Sequence, residues 1–204
     1  MAKLESTFRN MLVALFGVTL IASASLGLVY NVTKSPIERA ELEKQNNAIA
    51  AVLPQFEELG TAYKKFPPEG RDSVDIFPAL DQNGEIVAHA VKSYTYSGFS
   101  GYIEIMVGID VNNTITGFRV LRHAETPGLG SKMEQWHNDT EKPGQNIVGR
   151  TLNEEGLKVS KDGGDVDAIT AATITSRALM DALNRANATV SDLDSYTGAT
   201  PVNN

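Results

Sequence analysis

The chain has 204 residues, of which 42% are hydrophobic and 21% charged, a balance that suits one folded domain with accessory segments and excludes a disordered chain. A formal net charge of −7 with no clustered run of Lys and Arg excludes nucleic acid as a partner, because phosphate backbones are held by concentrated positive charge. There is no cysteine, so the chain alone offers no disulfide, iron–sulfur ligation or thiolate-bound zinc, and redox chemistry here requires an imported cofactor.

From Asn10 to Thr33 no charged residue occurs, and residues 11–30 form an apolar run of about 20 residues, roughly what a helix needs to cross the ~30 Å core of a bilayer. The competing reading is a cleaved signal peptide with Ala22-Ser23-Ala24 as its small-residue site. The apolar run continues past that site through Leu26, Leu28 and Val29, which favours an uncleaved transmembrane helix. Lys3 and Arg9 against Glu5 keep residues 1–10 in the cytoplasm by the positive-inside rule. The remainder is then expected outside the cytoplasm, in a single-pass protein of the cell inner membrane with its folded domain on the periplasmic side.

Ser35-Pro36-Ile37-Glu38 carries an N-cap serine, a proline at the first helical position and a capping-box glutamate, so a separate stalk helix is predicted over 35–53, ending before Pro54. Its apolar residues Leu42, Ile49, Val52 and Leu53 crowd toward its end. Residues 54–190 read as the folded domain. Strand character appears over Ser73–Ala79, Ile86–Tyr94, Tyr102–Ile109 and Thr114–Leu121, with turn signals at Gln82-Asn83-Gly84 and Asn112-Asn113. Ser176–Ala188 follows with Leu179, Leu183 and Ala186 at helical spacing, and Arg177, Asp181 and Arg185 as i,i+4 partners on another face. The expected fold class is α+β: an antiparallel sheet with packed helices, preceded by one N-terminal transmembrane helix. Residues 191–204 are short, polar and contain Gly and Pro, and are expected to form a flexible tail.

Two loops offer chemistry. His123-Ala124-Glu125-Thr126-Pro127-Gly128-Leu129-Gly130 closes the last strand, with glycines that let backbone N–H groups approach a planar or anionic ligand and with Thr126 and Glu125 as hydrogen-bonding groups. Read alone, it is also an ordinary Pro-Gly surface turn. His123, His89 and His137 show no metal-ligand spacing, and no convergent acid/base pair marks a catalytic residue. The second loop, Asp167 to Ser176, precedes the last helix; its Ser and Thr residues suit helix capping, and the helix start equally suits a phosphate.

Together, in this order, the two loops resemble those of the G subunit of the Rnf electron-transport complex, whose flavin domain also occurs in the C subunit of the sodium-pumping NADH:quinone reductase. The resemblance extends over nearly the whole chain: membrane span, stalk helix, His-x-Glu-Thr-Pro-Gly-Leu-Gly loop and Asp-x-x-Thr-x-Ala-Thr segment. It implies FMN attached covalently through a phosphoester to Thr173, installed by a separate FMN transferase, with Glu125, Thr126, Gly128, Leu129 and Gly130 against the isoalloxazine ring. Lys161 and Thr170, close in sequence, are expected to steady the phosphate or the ring. Implied partners are the other Rnf subunits, and the implied role is that of an electron carrier in an ion-translocating ferredoxin:NAD oxidoreductase. Two departures stand beside this. Ala171 occupies a position where the family usually has Gly, and Asp194 to Thr200 repeats the acceptor pattern with its glycine intact, which makes Thr200 an alternative site. A different class of reading, a membrane-anchored binding or structural module without cofactor, treats both loops as turns and caps.

Overall fold

The structure, a computed structural model, describes residues 7–153 and 155–191 and the backbone of 200–201. The chain divides into two units, residues 1–44 and 45–204. The first contains most of helix α1, Phe8–Val52, one span of which is long and apolar enough to cross a membrane and is wholly unburied. The predicted break at Ser35 is absent: Pro36 lies inside the helix. Proline removes one backbone donor and crowds the carbonyl four residues back. A helix already extended on both sides absorbs this defect, and Thr33 Oγ1, which could have capped a new start, donates 2.8 Å to Val29 O within the turn.

In the second unit, β1 (Glu58–Leu59), β2 (Tyr63–Lys65), β3 (Val74–Leu80), β4 (Ile86–Gly98), β5 (Gly101–Asp110), β6 (Ile115–His123) and β7 (Thr200–Pro201) form one antiparallel sheet in the order β6-β5-β4-β3-β2-β7, with β1 pairing the far end of β3. The predicted turns connect the long strands. Asp81 Oδ1 accepts from the N–H groups of Asn83 and Glu85 on either side of Gly84, and Asp110 Oδ1 does the same for Asn112 and Thr114. Helix α2 (Met133–His137) follows the sheet, and α3 (Thr173–Ser191) lies across β4 and β5. The backbone of Thr200–Pro201 pairs with β2, so this part of the expected tail belongs to the sheet; residues 192–199 lie outside those described.

Each sheet face carries its own cluster. On one, Leu179, Leu183 and Ala186 of α3 are buried with Val91, Ile105, Val107 and Phe118. On the other, Ala48, Ile49 and Val52 of α1 pack on Ala90 and Met106, while Leu42 is exposed. The opposed pair Gly108 and Gly117 makes room for that last helical turn: a Cβ on Gly108 would lie 2.1 Å from Val52 O. Thr116 Oγ1 donates to the same carbonyl, satisfying one acceptor that the helix end leaves open. Arg185 and Asp181 form the expected i,i+4 pair at 3.0 Å, but Arg177 turns instead to Asp162.

Candidate functional site

Glu125, two residues beyond β6, is only 4% exposed. Buried carboxylates need partners, and this one has two: Oε1 accepts from Ser100 N at 2.9 Å, and Oε2 accepts from Thr175 Oγ1. Two glycines clear its space. A Cβ on Gly130 would stand 2.6 Å from Oε2 and from Thr175 Oγ1, and a Cβ on Gly98 would stand 2.8 Å from Oε1. The β4–β5 hairpin, the loop after β6 and the first turn of α3 therefore meet at one side chain. The loop itself turns at Gly128 (φ +77°), whose N–H donates 2.9 Å to Ser131 Oγ. His123 is used locally, its Nδ1 accepting from Glu125 N at 3.2 Å, so it fixes the turn.

The second loop reaches α3 through Ala171, which holds φ +62°, the left-handed region that glycine occupies without penalty. From there the chain enters α3 at Thr173, where the N–H groups of the first turn have no intrahelical acceptor. Lys161 Nζ lies 3.1 Å from Thr173 Oγ1. The turn bearing Lys161 is tied to α3 by a two-pronged pair, Arg177 Nε to Asp162 Oδ2 at 2.7 Å and Arg177 Nη2 to Asp162 Oδ1 at 2.6 Å. These donors hold the Asp162 carboxyl below the usual carboxylate range.

Behind this loop sits an anchorage that sequence reasoning passes over. His137 is fully buried, with Nδ1 3.0 Å from Gln145 O and Nε2 3.4 Å from Ser176 Oγ; Ser176 Oγ accepts in turn from Ile169 N at 2.9 Å. The carbonyl at Gln145 makes Nδ1 the protonated nitrogen, and burial lowers the imidazole to about 4. Trp136 Nε1 donates 2.9 Å to Asp167 O, and Asp167 N donates 2.7 Å to Gly144 O.

Between the loops opens a cavity of about 320 Å³ lined by Phe99, Glu125, Thr126, Leu129, Gly130 and residues 171–175. It joins an apolar slot, with Phe99, Leu129 and Ile174 exposed at its mouth, to a helix start with an ammonium beside it. A flat heteroaromatic ring with a phosphate on a short chain fits both halves. Of the residues expected from sequence, Glu125, Thr126, Leu129, Gly130 and Thr173 line this cavity; Gly128 shapes its loop and Lys161 reaches its rim. Thr170 is exposed in the preceding turn and does not line it. Phe99, Ser100 and Thr175 were missed: the first two form a hairpin tip between Gly98 and Gly101 that carries no ligand signature, and Thr175 passes for a capping residue. A larger cleft of about 700 Å³ lies along the far half of α3, and two of its polar side chains, Asn184 and Arg185, are spent on the fold. There Asn184 bonds both the N–H and the carbonyl of Leu157, and Arg185 donates to Glu69 O, Tyr94 O and Asp181.

The family model for an FMN-binding domain matches residues 98–188, a range that begins at the β4–β5 hairpin and contains both loops and most of α3. The chain is 37% identical to the G subunit of the ion-translocating oxidoreductase complex of Salmonella typhi, covering 83% of this chain and 87% of that one. It is 32% identical to the protein of the same name from Methanosarcina acetivorans, over 87% of this chain and 91% of the relative. This chain belongs to the family of G subunits of ion-translocating oxidoreductase complexes. The Escherichia coli K12 member is 36% identical, with 83% and 87% covered. Among solved structures, NqrC from Shewanella oneidensis is similar at 23% identity and a TM-score of 0.45, over 60% of this chain and 62% of that one. Within this G-type chain, the domain described by the family model thus coincides with the part that builds the cavity.

Proposed function

We propose that this chain is the electron-carrying subunit of a membrane-bound, ion-translocating ferredoxin:NAD oxidoreductase complex, and that it carries FMN joined to Thr173 Oγ1 through a phosphoester. The observation that carries the reading is Thr173 at the first position of α3, on the lip of the cavity, with Lys161 Nζ 3.1 Å from its oxygen. FMN, when bound, supplies one- or two-electron chemistry; the protein supplies position and electrostatics. The start of α3 and Lys161 offset the phosphoester charge. Glu125, Thr126, Leu129 and Gly130 wall the slot for the ring, and the exposed Phe99 and Ile174 shield it from water.

A separate FMN transferase installs the group. A tether is useful outside the cytoplasm, where a dissociated flavin is not readily recovered. The apolar span of α1 anchors the chain in the inner membrane with residues 1–10 cytoplasmic and the flavin domain on the opposite side. Ion movement belongs to the other subunits of the complex, since residues 11–30 contain no charged residue with which to form an intramembrane path.

The test is to co-express the chain with an FMN transferase, digest it with trypsin and locate the mass of FMN less water. Cleavage after Lys161 and Arg177 bounds a region containing Thr173, whereas Thr200 lies beyond Arg185. Flavin on the Thr173 region, with a folded but colourless Thr173→Ala variant, is the expected result. Flavin beyond Arg185 moves the attachment to Thr200, and flavin on neither returns the chain to a cofactor-free module.

A further inference from the structure

Among the described residues lining the cavity, Glu125 is the sole titratable side chain. The mechanism of attachment does not use it, yet residues from three segments converge to accommodate it. Ser100 N and Thr175 Oγ1 donate to its two oxygens, and Gly98 and Gly130 leave no room for a Cβ against them. A purely structural strut in this position could have been neutral. An amide would offer the same acceptor to Ser100 and would pair with the Thr175 hydroxyl as well, since that oxygen can also accept.

We infer that Glu125 sets the reduction potential of the flavin, holding it low by placing a carboxylate in the wall of the ring slot; the inference rests on the FMN reading above. Two-electron reduction of the ring takes up two electrons and, near neutral pH, one proton, leaving one net negative charge on it. A carboxylate buried to 4% exposure in the same apolar wall opposes that charge with little screening from water. A nearby like charge disfavours the charged form of its neighbour, and the same field acts on electrons. Ser100 and Thr175 keep the carboxylate in place without cancelling it, because neither is a cation. Lys161 stands at the other end of the site, beside Thr173.

The experiment is a dye-referenced redox titration of the full chain in detergent, flavinylated by the transferase, with dithionite as electron donor. At a fixed potential, Glu125→Gln is expected to raise the ratio of reduced to oxidised flavin at least tenfold, about 30 mV for a two-electron couple. Glu125→Asp, which keeps the charge in the wall, is expected to stay nearer the parent. Glu85→Gln, an exposed carboxylate at the turn after β3, removes the same charge elsewhere and is expected to change the ratio less than twofold. An unchanged ratio in Glu125→Gln overturns the inference, as does an equal shift in Glu125→Asp, which would assign the effect to packing. Peptide masses distinguish failure of this inference from failure of the FMN reading. Flavin absent from the parent overturns the FMN reading itself; flavin present in the parent but missing from Glu125→Gln assigns Glu125 to attachment and removes it from potential control.

Discussion

Acidification should loosen the second loop through one buried imidazole. His137 is neutral in the fold, its ring lowered from 6.5 to about 4, chiefly by burial and further by the nearby Arg150 charge, with the Gln145 carbonyl acting in the opposite direction. Because the folded value lies below the unfolded one, the stabilisation is fully present above about pH 6.5. It drains away as the pH falls toward 4, where the unfolded chain takes up the proton first. The difference corresponds to about 3 kcal/mol, a large part of the stability of a typical domain. The assay is denaturant unfolding of the full chain in detergent, read by the fluorescence of Trp136, the single tryptophan, which is hydrogen-bonded to Asp167 O in the same loop. Carboxylates also titrate in this range, so the measured quantity is the stability gap between the parent and His137→Gln. At pH 7.5 the parent is the more stable; at pH 4.5 the gap is expected to be smaller by about 2–3 kcal/mol. A gap constant to within about 0.5 kcal/mol from pH 7.5 to 4.5 would refute the reasoning.

Gly130→Ala places a Cβ 2.6 Å from both Glu125 Oε2 and Thr175 Oγ1; a loss of about 1–3 kcal/mol in unfolding free energy and a weaker flavin site are expected. Ala171→Gly relieves the left-handed alanine at φ +62° and should stabilise the domain by about 0.5–1 kcal/mol, measured as a rise in denaturation midpoint without loss of flavin. Lys161→Ala removes the ammonium 3.1 Å from Thr173 Oγ1 and should lower the flavinylated fraction, scored by peptide mass, while leaving unfolding within about 0.5 kcal/mol because the side chain is exposed. Gly108→Ala, whose Cβ would meet Val52 O at 2.1 Å, should destabilise the sheet more than Gly117→Ala, where the nearest atom is 3.0 Å away, as compared by thermal melts.

The parts of the fold that were legible are those whose pattern repeats. Strands β3 to β6 and helix α3 each bury enough alternating or i,i+4 positions to mark themselves, and Asp81 and Asp110 announce their turns. Strands of two or three residues, such as Glu58–Leu59, Tyr63–Lys65 and Thr200–Pro201, carry no period at all and exist because a neighbouring strand offers them an edge. The join at Pro36 was misread because Ser-Pro-x-Glu describes a helix start equally well whether or not a helix already precedes it. At the candidate site, the two loops are readable as motifs, and the left-handed conformation at Ala171 is the one the usual glycine anticipates. Ser100, Phe99 and Thr175 were illegible because their relevance arises only when strand pairing brings Gly98 opposite Gly101 and lays α3 beside Glu125. His137 was set aside for lacking ligand spacing, although its role is mechanical.

Helix α3 is fastened at both ends. At its start Ser176 Oγ is held between His137 Nε2 and Ile169 N, and at its end the buried Lys65 ammonium donates 3.2 Å to Thr189 O, a cation where the helix dipole is negative. A helix fixed this way cannot slide or swivel to follow a change in charge beside it. For a carrier, that stiffness limits the energy each transfer demands: walls that keep their shape when an electron arrives and again when it leaves need little rearrangement. On the proposed reading, partner redox groups would have to come to the mouth at Phe99, Leu129 and Ile174, and the domain would serve as a fixed surface for them.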